Sequence, residues 1–245
     1  HRMYPYYNYY FGSYDYGMES VVSLILVLLC ALAAGIASAA VRHAYQKYDR
    51  VPSARHITAE QAARMVLQQA GITDVQVQHI AGELTDNYNP STGILSLSDS
   101  TYGHSSIAAI GVACHEAGHA VQHAKGYVPI KIRNAILPIC SFGTKAGIPL
   151  ALVGAIFGSE TLIVIGLLLY AAIAVFQFVT LPVEFNASQR AMTIMRDSGL
   201  LSGEELTGAR KVLTAAAMTY VAALASVLAN LLRYAVLLLG RNRRD

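Results

Sequence analysis

The sequence predicts a mainly α integral membrane protein, with about four transmembrane helices and a small α+β extramembrane domain. Three observations carry this. Of 245 residues, 54% are hydrophobic and 13% charged, a balance too apolar for an ordinary soluble domain. The apolar excess is gathered in blocks long enough to cross a bilayer. Between the first two blocks lies a long polar stretch with both strand-like alternation and helix-start signals.

The elements follow in order. Residues 1–19 are tyrosine-rich, and the run from Tyr4 to Tyr16 reads as an aromatic collar at a membrane interface. His1 and Arg2 read as a remnant ahead of a start at Met3. Residues 20–41 carry no charge and form the first span. Ala37, Ser38 and Ala39 resemble a signal-cleavage site, but the segment before the span is long and carries Asp15 and Glu19. A retained anchor is therefore expected.

Residues 42–134 form the extramembrane part. Thr58 and Gln61 make a capping box for an amphipathic helix that runs to about Ala70 and stops at Gly71. Residues 75–80 alternate apolar and polar, as a half-buried strand does. Residues 87–93 are turn-rich, residues 94–98 make a second strand, and a long helix starts near Ser105. Residues 135–158 form a weaker second span, interrupted by Lys145. The uninterrupted part, residues 146–158, is about 20 Å of helix against a hydrocarbon core of roughly 30 Å. Either Lys145 snorkels to an interface or this piece is re-entrant. Residues 160–182 are the third span, 183–213 a helix and a connecting loop, and 214–240 the fourth span, with Arg233 as its charge. Residues 241–245 are a basic tail.

The chemistry centres on His115-Glu116-Ala117-Gly118-His119. On a helix, positions i and i+4 share a face, so both imidazoles can reach one tetrahedral ion, and histidine nitrogen suits zinc. Glu116 then stands beside the water that such an ion activates, where a general base is needed. The flanks are small and apolar, which predicts a buried helix whose polar side chains need partners. Together these point to zinc-assisted hydrolysis of peptide bonds, with one Zn2+ per chain.

A catalytic zinc takes three protein ligands. His123 continues the series, but three such positions span about 12 Å, too far for one ion with bonds of about 2 Å. His104 precedes the helix, His79 lies in a strand, Glu160 lies in a far-side loop, and Glu204 and Glu205 lie in a polar loop. A helix starting at Pro182 places Glu184, Ala187, Ser188 and Ala191 on one stripe. Small residues there would let a neighbouring helix approach, with the Glu184 carboxylate reaching across to complete the site; the alternative is a plain N-terminal helix charge favoured by the dipole. Cys30, Cys114 and Cys140 suggest no disulfide framework. Cys114 points about 100° away from His115 around the helix and reads as a packed small residue.

Several motifs together resemble the YugP-type membrane zinc metallopeptidases. They are the tyrosine-rich start, residues 84–90 (Leu-Thr-Asp-Asn-Tyr-Asn-Pro), residues 106–112, the His115–His119 motif, residues 181–188 (Leu-Pro-Val-Glu-Phe-Asn-Ala-Ser) and residues 209–213. More distantly, the layout is similar to HtpX-type and prenyl-protein membrane endopeptidases. Those carry a ligand Glu after the His pair, usually with an Asp four residues on, where this chain has Ser188. The resemblance implies a zincin-like metallopeptidase domain holding zinc through His115, His119 and Glu184, with Glu116 as base. In zincins a small sheet precedes the metal-binding helix, and an exposed strand edge can hold an extended substrate. Ile94, Leu95, Ser96 and Leu97 are the expected edge strand, a plain structural strand being the alternative. His123 and Tyr102 are candidate oxyanion donors, and Ser188 a candidate support for a ligand.

The expected partners are a polypeptide substrate, membrane-associated, and the lipid bilayer. Nucleic acid is not expected, because no motif or basic stripe serves it. With four spans, residues 42–134 and 183–213 share one side. Arg42, Lys47, Arg50, Lys131, Arg133, Arg190, Arg196, Arg210 and Lys211 put that side in the cytoplasm of a multi-pass cell-membrane protein. The basic tail argues the other way. The alternative function is a zinc-binding membrane scaffold without turnover, with a small transporter a distant third.

Overall fold

The computed structural model describes residues 5–242. His1, Arg2, Met3, Tyr4, Arg243 and Arg244 lie outside the described residues, as do the side chains of the tyrosine run through Tyr16 and of Arg241. In chain order the elements are α1 (Pro5–Asp49), α2 (Ala59–Gln69), β1 (Gln76–His79), β2 (Asn87–Asn89), β3 (Ile94–Leu97), α3 (Ile107–Ala124), α4 (Val128–Phe157), α5 (Glu160–Asp197) and α6 (Gly203–Asn242). Four of these helices are long and apolar enough to cross a membrane: Ser20–Asp49 within α1, α4, α5, and Gly203–Val236 within α6. Among the described residues the protein is thus mainly α, with four such helices and one small sheet, as the sequence predicts.

The chain divides into two units. The first comprises the described residues up to Ile36, Leu137–Gln177 and the chain from Val221. Among its described residues many apolar side chains are turned outward; Leu28, Phe157 and Leu168 are each at least 60% exposed. Outward apolar surface on this scale suits lipid rather than water. Helix α4 runs unbroken through Pro138, Lys145 and Pro149, so the stretch after Lys145 belongs to one 30-residue helix and not to a separate short one. Where α4 meets α5, glycines allow contact of backbone on backbone: a Cβ on Gly143 would stand 2.6 Å from the Leu169 carbonyl oxygen.

The second unit comprises Ala37–Ile136 and Phe178–Tyr220. Its core joins Ala62, Ala63 and Val66 of α2, Leu95 and Leu97 of β3, Ile110, Ala113 and Ala117 of α3, Ala191 and Met195 of α5, and Leu213 of α6. The expected capping box opens α2: Thr58 Oγ1 accepts from the Gln61 amide, and Gln61 Oε1 accepts from the Thr58 amide. Gly71, at φ +72, takes the left-handed turn that stops the chain continuing as helix. Ser106 caps α3, its Oγ accepting from the Ala109 amide and donating to Asp49 Oδ1, which ties the start of α3 to the end of α1.

Two expectations need correcting. The strand order is β1-β3-β2, with β3 parallel to β1 and antiparallel to β2. Ile94, Leu95, Ser96 and Leu97 therefore form the central strand, with both backbone edges paired. Leu95 and Leu97 are fully buried, so the strand serves the core and offers no edge to a substrate. The segment expected to be only turn supplies the edge strand β2. Helix α5 also does not start at Pro182. It runs from Glu160 straight through that proline, and Glu184 rides on one continuous helix.

Candidate metal centre

Helix α3 presents its motif to α5 at very short range. Gly118 lies against the backbone of Ala187, and a Cβ there would sit 2.7 Å from the Ala187 carbonyl oxygen. Val183, Ala187 and Ala191 are fully buried along the facing side of α5. Small residues on both helices thus permit the approach that the α5 stripe predicts, and the Glu184 side chain spans what gap remains.

Glu184 Oε2 lies 3.2 Å from His115 Nε2, and Glu184 Oε1 lies 3.6 Å from His119 Nε2. The two imidazoles stand edge to face, with ring centroids 4.8 Å apart. Ligand atoms bound at about 2.0–2.1 Å around a tetrahedral zinc are about 3.3–3.4 Å from one another. The observed separations fit that spacing. Ligand atoms of His115, Glu116 and His119 also lie within 4.8 Å of one another, so two carboxylates border the imidazole pair. Glu184 is the one in contact with both Nε2 atoms. The donor set, two imidazoles and a carboxylate, suits zinc.

Each of these groups has a further partner. Ser188 Oγ is 3.0 Å from His115 Nδ1, Gln122 Oε1 is 3.0 Å from His119 Nδ1, and Arg133 Nη1 donates to Glu184 Oε1 at 2.9 Å. Such outer contacts orient metal-binding side chains. Burial pushes the Glu116 carboxyl up to about 7; the Glu184 charge adds to the rise, while His115 and Arg133 oppose it. A carboxylate so placed can both take and return a proton near neutral pH. Burial pushes the Cys114 thiol up to about 12, so it stays a packed thiol as the sequence predicts.

Residues 23–239 match the family described as "Putative neutral zinc metallopeptidase". The chain belongs to this family. It is also similar to the Bacillus subtilis (strain 168) protein described as "Putative membrane protease YugP", at 40% identity over 225 residues, which cover 91% of this chain and 99% of that protein. No solved structure matches it.

In this chain a cavity of about 380 Å³ is lined by His115, Glu116, His119, Glu184 and Ser188 together with Arg133. Tyr45, Asp86, Tyr88 and Tyr220 also line it. The other two expected residues are elsewhere. His123 is exposed at the end of α3, 3.3 Å from the Tyr88 hydroxyl, and does not line the cavity. Tyr102 packs its ring on His79, with centroids 5.2 Å apart, and also lies outside the cavity lining. Neither is placed to serve as an oxyanion donor there.

Sequence reasoning missed Arg133, Gln122, Asp86 and Tyr220. Gln122 did carry a signal, since it lies three residues after His119 and seven after His115, on the same face. Arg133 carried a misleading one, having been counted as a membrane-flanking charge. Leu84 at the cavity wall holds φ +53, a left-handed conformation that leucine rarely adopts, with its amide donating to Ser100 Oγ.

Proposed function

We propose that the protein is a membrane endopeptidase that hydrolyses peptide bonds of membrane or membrane-proximal proteins. One observation carries this reading: the carboxylate of Glu184 on α5 meets the Nε2 atoms of both His115 and His119 on α3, beside Glu116 in one cavity. His115, His119 and Glu184 would hold one zinc. Zinc bound there supplies Lewis acidity, acidifying water and polarising a substrate carbonyl. Glu116 takes the proton from the attacking water and passes it to the leaving amine. Arg133 holds Glu184 in place through its 2.9 Å bond.

The substrate chain lies extended along the outer edge of β2, whose Asn87 and Tyr88 line the same cavity. Tyr88→Ala should then raise KM several-fold and leave zinc content unchanged; an unchanged KM would remove β2 from the substrate path. Glu184 lies two residues beyond Pro182, where the apolar run ends. That placement favours substrates at or near the membrane, and the charge distribution favours a cytoplasmic site.

The test is quantitative proteomics of membranes from cells expressing wild type or Glu116→Gln. The variant should keep its zinc and lose about 10²–10⁴-fold in cleavage, so that full-length substrates accumulate. Zinc-dependent cleavage that persists in Glu116→Gln would contradict the role of Glu116. Zinc binding with no cleavage by wild type would favour the scaffold alternative.

A further inference from the structure

Gln122 is fully buried and tied to three groups. Its Nε2 donates to the Val183 carbonyl at 2.8 Å and to Asn186 Oδ1 at 3.0 Å, and its Oε1 faces His119 Nδ1 at 3.0 Å. Arg190 Nε donates to the same Asn186 Oδ1 at 2.7 Å, and the Arg190 guanidinium sits over the Tyr127 ring, 5.8 Å from its centroid.

Amide groups can in principle be turned end for end, so polarity has to be argued from groups that cannot. Two such groups bound this network. A guanidinium only donates, so the Asn186 atom facing Arg190 is its oxygen. A backbone carbonyl only accepts, so the Gln122 atom facing Val183 is its nitrogen. Both constraints agree at the bond between Gln122 and Asn186. The oxygen of Gln122 must then face His119, and that oxygen accepts only. His119 therefore carries a proton on Nδ1, and in the neutral imidazole the lone pair falls on Nε2, the atom 3.6 Å from Glu184.

His115 is held differently. Its Nδ1 partner is the Ser188 hydroxyl, which can donate or accept and so imposes neither tautomer.

We propose that Gln122 is a positioning residue that locks His119 into the metal-ready tautomer before any ion arrives, through a relay anchored on Arg190 and the Val183 carbonyl. The consequence for zinc rests on the metallopeptidase reading above; the tautomer itself does not. The experiment uses full-length protein in detergent, labelled with ¹⁵N-histidine and stripped of metal, with His119 assigned by its loss in His119→Asn. Above the imidazole titration range, His119 of the wild type should show the proton on Nδ1. Folded Gln122→Leu should show mixed tautomers and bind zinc about 10–100-fold more weakly in chelator competition. Asn186→Asp, which still accepts from both donors, should keep near-wild-type zinc affinity and the Nδ1–H form.

A proton on Nε2 in the wild type overturns the proposal, as does wild-type zinc affinity in folded Gln122→Leu. If Gln122→Leu fails to fold, the wild-type tautomer still decides. If wild type binds no zinc, the metallopeptidase reading fails, while the tautomer measurement tests this inference separately.

Discussion

Helix α5 is approached closely by a different helix in each of the two units, and the two approaches use the same device for different ends. In the apolar unit α4 meets α5 through glycines: a Cβ would stand 2.6 Å from the Leu169 carbonyl at Gly143 and 2.5 Å from the Ala151 amide at Gly166. In the other unit α3 meets α5 through Gly118, where a Cβ would stand 2.7 Å from the Ala187 carbonyl. The first contact brings together backbone and apolar atoms, and dispersion packing is what it yields. The second is bordered by His115, His119 and Glu184, and it brings titratable groups into a cavity. Close helix contact is therefore a general means in this chain. Chemistry arises only where polar side chains stand one turn from the contact.

The largest expected difference comes from adding one methyl group at each contact. Gly118→Ala and Gly143→Ala should each destabilise by about 1–3 kcal/mol, because each new Cβ meets backbone that must shift. Only Gly118→Ala should also lose zinc affinity, since it moves α3 away from Glu184. Thermal melts with parallel zinc titrations would show this, and equal zinc affinity in the two variants would break the comparison.

An effect of similar size on stability, but one that zinc can offset, is expected at Arg133. Its removal leaves the Glu184 carboxylate, whose side chain is only 7% exposed, without its cation. Metal-free Arg133→Ala should be about 1–3 kcal/mol less stable than wild type, below the value for a fully buried pair because Arg133 is itself 20% exposed. Saturating zinc should restore much of that loss, because the ion supplies the missing positive charge. Equal destabilisation with and without zinc would mean that Arg133 serves packing alone.

Much of this was legible in the sequence where the signal is local. Hydropathy gave the four long helices, and Thr58 with Gln61 gave the start of α2. The spacing of His115 and His119 gave the face of α3. The stripe of Glu184, Ala187 and Ser188 gave the partner helix, because a close approach demands small residues at helical spacing. What was not legible depends on pairing between distant segments. Ile94–Leu97 reads the same whether its edges are free or paired, and only the positions of β1 and β2 make it central. Arg133 looks like any basic residue beside a membrane span until α4 brings it to Glu184. Gln122 looks like a polar helix residue until the Val183 carbonyl and Asn186 claim its amide.

On the reading proposed above, α3 and α5 together make one zinc site, with Glu184 as its third protein ligand. Elemental analysis of purified Glu184→Ala beside wild type and His115→Ala tests it most directly. One zinc per chain is expected in the wild type and far less than one in both variants, with the fold kept in each. A full zinc equivalent retained by Glu184→Ala would contradict the claim.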